Sequence, residues 1–307
     1  MPQKVSHQAY VMSLTAFDRA GQLDEGGFRA HLRRLASAGV GVYVGGSGSG
    51  ESATYLPGEM KRVLSIAHEE LSGKVPLRVN GIEPRVAEQS IEVLDLANDI
   101  GYEGAQIFGP DVGHGYKPST SELRNYFERV LVATKIPVFL MSHQSLGYLV
   151  PLSLLEELTS KYDVIRGINV AANDLRYLTE VIALGAARGL PICVGGPDLA
   201  LNAMALGVEG FLTTEGNLAP RLCVSVVDAF DAADHEQLVT LQRRLLLLSV
   251  ANARYGNIVG IKAVLRQLKL PGGYARPPRL EIGAAETTQY LEALRSAGVI
   301  DAEGLEA

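Results

Sequence analysis

Short apolar runs rich in β-branched residues alternate with longer amphipathic segments along most of this chain. Runs of four or five such residues, bounded by glycine or proline, are typical of buried strands, and apolar positions three and four apart are typical of helices. The predicted strands are residues 10–14, 41–44, 77–80, 104–108, 137–141, 164–168, 191–194 and 210–213. The helical patterns between them include residues 24–38, 56–72, 84–100, 121–134, 151–160 and 175–188.

This near-regular strand–helix repeat predicts an α/β fold, a (β/α)8 TIM barrel. We expect residues 1–216 to form the barrel strands and loops. Residues 217–307 carry no further strand pattern, and we expect them to form the final barrel helix and a C-terminal helical extension. A doubly wound open sheet is the rival fold, but no Gly-x-Gly-x-x-Gly motif follows the first predicted strand.

Composition narrows the class of protein without identifying a function. The chain has 307 residues, 47% of them apolar, and a formal charge of −6. No basic run predicts a nucleic-acid partner and no apolar stretch is long enough to predict a membrane span. The apolar run at residues 244–249 is short and is expected to lie in a packed helix. Cys193 and Cys223 lack metal-site spacing, and residues 1–7 lack the apolar region of a signal peptide. These features predict two buried, reduced thiols and a cytoplasmic location.

A glycine–serine loop, residues 45–51, follows the second predicted strand with the sequence Gly-Gly-Ser-Gly-Ser-Gly-Glu. Glycines allow the backbone to approach a ligand closely, and successive N–H groups in such a loop can hold an anion. The serine hydroxyls add donors, and we expect the carboxylate of Glu51 to accept hydrogen bonds from the loop amides. Loops after barrel strands are where the chemistry of this fold occurs.

With its neighbours, this loop resembles the Gly-x-x-Gly-Glu-Ser-Ala-Thr signature of the dihydrodipicolinate synthase/N-acetylneuraminate lyase family. The resemblance covers about residues 8–230, and is carried by further matches at residues 14–18, 117–119, 136–140, 167–169, 207–214 and Gly195. It implies the same barrel, and an assembly of two or four identical subunits.

The resemblance also implies a ligand, pyruvate or a related 2-oxo acid, bound as a Schiff base to a lysine. The carboxylate of this ligand would lie on Gly48 and Ser49, and the backbones of Gly195 and Leu212 would line the pocket. It implies a carbon–oxygen or carbon–carbon lyase that needs no metal and no organic cofactor.

The chain departs from the family pattern at the reactive position, because the Schiff-base lysine aligns with Asn169. An asparagine amide is not nucleophilic, so imine chemistry is not expected there. The tyrosine of the fifth strand aligns with Met141, which we expect to line the pocket. A further family tyrosine falls near Asp111, and an arginine that holds substrate in some members falls near Leu146.

Other residues could replace the lost group. The lysines are Lys4, Lys61, Lys74, Lys117, Lys135, Lys161, Lys262 and Lys269. Of these only Lys117 is predicted in a loop on the catalytic face, where a solvated charge is the simpler interpretation. His143 shares strand parity with Met141 and is either a general acid/base or a structural histidine. A metal site built from Asp111, His114, His143 and Asn169 is a minor hypothesis, since no two have close ligand spacing.

Two functional hypotheses therefore remain open. In one, the chain is a lyase that polarises the carbonyl of a 2-oxo acid through Asn169, Ser49 or His143 instead of an imine. In the other, it is a non-catalytic barrel that binds a small carboxylate as a sensor or assembly partner. A lysine enzyme that uses Lys117 is a third interpretation, and it alone predicts a covalent adduct.

Overall fold

Eight parallel strands close into a barrel in their order along the chain, which is the predicted TIM barrel rather than an open doubly wound sheet. The computed structural model describes residues 7–305. Lys4 and nearly all of the N-terminal segment considered above lie outside this range. The strands are β1 (Gln8–Met12), β2 (Gly41–Gly45), β3 (Leu77–Gly81), β4 (Ala105–Phe108), β5 (Val138–His143), β6 (Ile165–Ala171), β7 (Ile192–Gly195) and β8 (Gly210–Thr213).

Helices follow the strands, and those after β8 form the predicted C-terminal extension. They are α1 (Glu25–Ala38), α2 (Glu59–Leu71), α3 (Ala87–Ile100), α4 (Thr120–Ala133), α5 (Leu152–Lys161), α6 (Leu175–Arg188), α7 (Ala200–Ala205), α8 (Pro220–Asp231), α9 (His235–Arg254), α10 (Ile258–Gln267), α11 (Ala284–Ser296) and α12 (Val299–Glu303). The apolar run at residues 244–249 lies within α9, where Leu245 and Leu248 are fully buried. Within residues 7–305, no helix is both long and apolar enough to span a bilayer.

Local sequence signals explain where several helices begin and end. Gly39, Gly101 and Gly189 end α1, α3 and α6 in the left-handed conformation, which costs glycine little because it has no Cβ. Asp24 caps α1 by accepting a hydrogen bond from the third residue that follows it. Ser119 caps α4 through a capping box. The predicted alternation of strand and helix therefore rests on identifiable stop and start residues.

The strands differ from their predicted bounds in a way that affects the site. β5 and β6 pair from Val138 and Ile165 to His143 and Ala171, beyond the apolar runs that predicted them. Asn169 therefore lies inside β6, although the predicted strand, residues 164–168, ended one residue before it. Pairing with β5 carries β6 past Asn169 to Ala171, because the polar side chain of Asn169 is hydrogen-bonded within the fold.

By its internal contacts the described chain divides into two compact units. One is Leu77–Phe211, which holds β3 to β7, and the other comprises residues 7–76 and 212–305. In the first unit all four residues of β4 are buried, as expected for a parallel strand covered on both faces. In the second, all five residues of β2 are buried. Cys193 and Cys223 are unpaired and buried, as predicted.

Candidate functional site

Asn169 lies in the middle of β6 with about 1% of its surface exposed. The strand register places it level with Met141 on β5 and Cys193 on β7. Register partners on parallel strands point to the same face of a sheet, so Met141 and Asn169 are neighbours, and Met141 is also buried. The two residues that the alignment assigned to the reactive centre are therefore brought together by strand pairing.

Asn169 belongs to a chain of buried side-chain amides that sequence reasoning missed. Its Nδ2 donates to Oε1 of Gln106 at 2.5 Å, and Nε2 of Gln106 donates to Oδ1 of Asn80 at 2.8 Å. Gln106 is 1% exposed and Asn80 is 3% exposed. The chain spans β3, β4 and β6, and both of these bonds run in the same direction, from Asn169 to Asn80. A polar group at each of these three positions is the only sequence signal for it.

This amide chain determines what position 169 can do. The amides carry no charge and no titratable amine, so the chain offers no nucleophile for imine formation. The hydrogen bond to Gln106 uses one of the two N–H donors of Asn169 and fixes the plane of its amide. Asn169 can therefore take part in hydrogen bonds, but it cannot form the covalent imine.

His143 ends β5 and is bound through its Nδ1 atom. Nδ1 accepts from the backbone N–H of Ser145 at 3.0 Å and lies 2.6 Å from the Ser145 hydroxyl oxygen. Burial lowers the pKa of His143 from its ordinary value of 6.5, and the negative charge of Glu83 opposes that shift. An acceptor at Nδ1 in a neutral ring places the proton on Nε2. His143 is thus arranged to donate from Nε2, rather than to accept a proton there.

The remaining candidates in this unit have fewer contacts. Asp111, His114 and Lys117 lie in the β4–α4 loop, and all three are exposed. Within residues 7–305 no cluster of three or more His, Cys, Asp or Glu side chains has the arrangement of a metal site. Gly195 ends β7, and a Cβ there would lie 2.6 Å from the Cβ of Ala171, so this position has no space for a side chain.

In the second unit, the glycine–serine loop follows β2 in a tightly folded conformation. Gly45 and Gly46 have positive φ angles of 87° and 80°, a conformation that favours glycine. A Cβ on Gly50 would lie only 2.2 Å from the carbonyl oxygen of Gly45, so the loop folds back on its own backbone at this point. The hydroxyl of Ser49 lies 2.8 Å from that of Thr214, just after β8.

The same loop contains buried backbone donors with no partner. Ser49 and Gly50 are buried, and within residues 7–305 their N–H groups make no hydrogen bond to the chain. Buried backbone N–H groups are nearly always paired, and successive unpaired ones form a concave site for an anion. Gly48, immediately before them, is exposed, and open space surrounds the position of its missing Cβ. Leu212, in β8, is buried.

Glu51 has a different role from the predicted one. Its fully buried carboxylate does not accept from the loop amides, because Lys262 of α10 forms an ion pair with one of its oxygens. The other oxygen accepts from the backbone N–H of Arg276 at 3.2 Å. The loop is closed instead by its backbone, with the N–H of Ser52 donating to the carbonyl of Gly46 at 3.0 Å.

Lys262 was assigned by sequence to a C-terminal helix and excluded from the site. It does lie in α10, but it is fully buried against the glycine–serine loop. One sequence signal was available: Lys262 is the only charged residue in the apolar run 258–265. A lysine in a fully buried run requires an anionic partner, and this one is 211 residues away at Glu51.

Comparison with known proteins agrees with the fold and with the family resemblance. The model of the dihydrodipicolinate synthetase family matches residues 6–297. The 4-hydroxy-tetrahydrodipicolinate synthase of Methanopyrus kandleri is 28% identical over 270 residues, 88% of each chain. That of Brucella suis is 27% identical over 290 residues, covering 94% of this chain and 97% of its own. A prophage protein of Escherichia coli K12 from the dihydrodipicolinic acid synthase family, solved in complex with pyruvate, is 25% identical with a TM-score of 0.87 and covers 95% of this chain and 99% of its own. This chain belongs to the dihydrodipicolinate synthetase family.

Proposed function

We propose that this chain binds pyruvate or another small 2-oxo acid through its carboxylate, without forming a Schiff base. The observation that carries the proposal is the pair of buried, unpaired N–H groups at Ser49 and Gly50. Two adjacent amides and a serine hydroxyl match the two oxygens of a carboxylate. The pyruvate complex of the Escherichia coli relative supports this choice of ligand.

Asn169 supports the non-covalent part of the proposal. The family position of the lysine is held by an amide that is committed to Gln106. An amide offers only hydrogen bonding at the position where the family lysine offers an imine. Loss of one good oxyanion donor costs an enzyme about 3 kcal/mol of transition-state stabilisation, and loss of an imine electron sink costs more. Aldol chemistry at the rate of a lysine enzyme is therefore not expected, and a proton transfer next to the carbonyl is the easier reaction.

One observation favours the second hypothesis, binding without turnover. Nδ1 of His143 is occupied by Ser145, which leaves Nε2 as a donor and removes the best general base on this strand. Without a base, a bound 2-oxo acid keeps its protons, as suits a sensor or an assembly partner. The two hypotheses share the carboxylate site and differ only in whether the ligand reacts.

Calorimetric titration with pyruvate tests the shared part. We expect the wild type to bind, and Ser49→Ala to bind about fivefold more weakly because one hydroxyl hydrogen bond is lost, at about 1 kcal/mol. Ser65→Ala, a half-buried hydroxyl on α2, is the matched control and should leave affinity unchanged. Absence of heat with the wild type at millimolar pyruvate would refute the carboxylate site.

Borohydride trapping followed by peptide mass spectrometry tests the non-covalent part. The wild type should give no adduct, and Asn169→Lys should give one on the new lysine, which shows that the reagents work. An adduct on the Lys117 peptide of the wild type would overturn the proposal in favour of a lysine enzyme. In the absence of an adduct, exchange of the pyruvate methyl protons with deuterium, compared between the wild type and His143→Ala, separates proton transfer from binding alone.

A further inference from the structure

Lys262 has a complete set of hydrogen bonds that leads back to the glycine–serine loop. Its ammonium group donates to the carboxylate of Glu51, to the carbonyl of Thr15 at 2.7 Å and to the carbonyl of Tyr274 at 2.9 Å. An ammonium group has three N–H donors, and all three are used. With no exposed surface and no free lone pair, Lys262 is neither a nucleophile nor a base, so its charge must serve another purpose.

Glu51 links the charge of Lys262 to the backbone conformation of the glycine–serine loop. It has a left-handed φ of 58°, which is strained for a residue with a side chain. Its backbone N–H points to the carbonyl of Gly48 at 3.4 Å, and its carboxylate is fully buried. Such a conformation persists only where the surroundings enforce it, and the ion pair with Lys262 is the strongest constraint on the side chain. The unpaired N–H groups of Ser49 and Gly50 immediately precede Glu51, so its conformation sets their direction.

The positive charge of Lys262 favours anion binding in addition to its effect on the loop conformation. Glu51 places a negative charge on the residue that follows the proposed carboxylate-binding N–H groups, and Lys262 neutralises it. Arg279, about one-third exposed, lies 3.4 Å from Glu51 and donates to the carbonyls of Ser47 and Gly48 at 3.3 Å each. Without the charge of Lys262, the buried carboxylate of Glu51 would repel an incoming anion.

We propose that Lys262 is the positioning residue of this site: its ion pair with Glu51 fixes the direction of the loop N–H groups and cancels the charge behind them. Binding of a 2-oxo acid then requires Lys262 to be charged. The inference rests on the proposed carboxylate site for its ligand, but the effect on the loop conformation stands without any ligand.

The buried position of Lys262 predicts that the affinity for pyruvate depends on pH. Burial lowers the pKa of Lys262 to about 8, against the opposing effect of Glu51. The other groups that face it are Arg279 and Arg276 from the C-terminal segment, Arg266 from α10, and His31 from α1, which stays neutral because burial lowers its pKa to about 3. Affinity for pyruvate should be constant between pH 6 and 7 and fall about tenfold by pH 9, where roughly a tenth of the lysine remains charged.

Three variants separate positioning from a merely structural role. Lys262→Met leaves Glu51 buried and unpaired, Lys262→Met with Glu51→Gln removes both charges, and Lys262→Arg keeps the positive charge. Lys61→Met, an exposed lysine on α2, is the matched control. The measurements are hydrogen–deuterium exchange of residues 46–52 in the ligand-free protein at pH 7, and pyruvate affinity from pH 6.5 to 9.5.

We expect faster exchange in the loop of Lys262→Met, at least tenfold weaker binding, and loss of the fall in affinity above pH 8. Lys262→Arg should restore binding at pH 9, and Lys61→Met should match the wild type in both measurements. The doubly neutral variant keeps the test informative if Lys262→Met does not fold, because it leaves no unpaired charge; its affinity should be weakened and independent of pH.

Unchanged exchange and unchanged affinity in Lys262→Met or in the double variant would overturn the inference. So would a wild-type affinity that stays constant from pH 7 to 9.5. Failure of the wild type to bind pyruvate at any pH would count against the proposed function alone. In that case loop exchange in the variants would still decide whether Lys262 positions the loop.

Discussion

Replacing Gln106 with leucine should destabilise the fold, because Gln106 is the central member of the buried amide chain. The substitution removes the acceptor of Asn169 and the donor to Asn80, and all three side chains are at most 3% exposed. Each buried polar atom that loses its hydrogen bond to Gln106 costs about 1–3 kcal/mol, and the added apolar burial of leucine returns roughly 1–2 kcal/mol. The expected net loss is about 2–3 kcal/mol in the free energy of unfolding.

Urea unfolding at pH 7, followed by circular dichroism, measures this loss. A second variant, Asn80→Val with Gln106→Leu and Asn169→Leu, removes every member of the chain and should recover to within about 1 kcal/mol of the wild type. Gln289→Leu, exposed on α11, is the control and should change stability by less than about 0.5 kcal/mol. A loss below 0.5 kcal/mol for Gln106→Leu, or a triple variant less stable than the single one, would refute the argument that these amides depend on one another.

Three further predictions concern titration and steric fit. Burial lowers the pKa of His31 to about 3 from 6.5, so the unfolded chain binds a proton that the folded chain does not bind. The free energy of unfolding therefore decreases as the pH is lowered through this range. In urea titrations between pH 6.5 and 4.5, the wild type should lose about 2–3 kcal/mol more than His31→Gln. Hydrogen bonding to Arg33 is the main cause that lowers the pKa of Glu70 to about 2 from 4.5, so the stabilising effect of Glu70 is present above pH 4.5 and is lost as the pH falls to 2. Over this range the urea midpoint should fall less steeply in Glu70→Gln than in the wild type. Equal slopes would contradict the pairing of Glu70 with Arg33. Gly50→Ala should lower the free energy of unfolding by about 3 kcal/mol, because its Cβ would overlap a backbone carbonyl. Gly48→Ala, which has open space at that point, should remain within about 1 kcal/mol of the wild type. Thermal unfolding of the two variants checks the difference.

The fold could be predicted from sequence because its signals are local. Gly39, Gly101 and Gly189 mark helix ends wherever they occur, and short buried runs mark parallel strands. The position of Asn169 could not be fixed to better than one or two residues, since this polar residue interrupts the apolar run and pairing with β5 carries the strand on to Val170 and Ala171. Apolar pattern alone ends a strand where the apolar residues end.

The candidate site was predictable only in part, for the same physical reason. The glycine–serine loop is contiguous, so the prediction that it binds an anion follows from its own residues. Gln106 is 63 residues from Asn169, and Lys262 is 211 residues from Glu51. No periodicity connects residues at such separations, and nothing short of the folded chain shows which buried polar groups meet. The occupied Nδ1 of His143 also depends on a turn that strand parity does not describe.

The 211-residue separation of Glu51 and Lys262 also has a consequence for how the protein is made. The glycine–serine loop is synthesised first, and the cation that holds Glu51 follows 211 residues later. At 5–20 residues per second, a ribosome needs about 10–40 s to travel from one to the other. Throughout that interval the carboxylate of Glu51 lacks its permanent partner and stays hydrated. The loop therefore acquires this ion pair only after residue 262 has been made, and a nascent chain stalled before that residue lacks it.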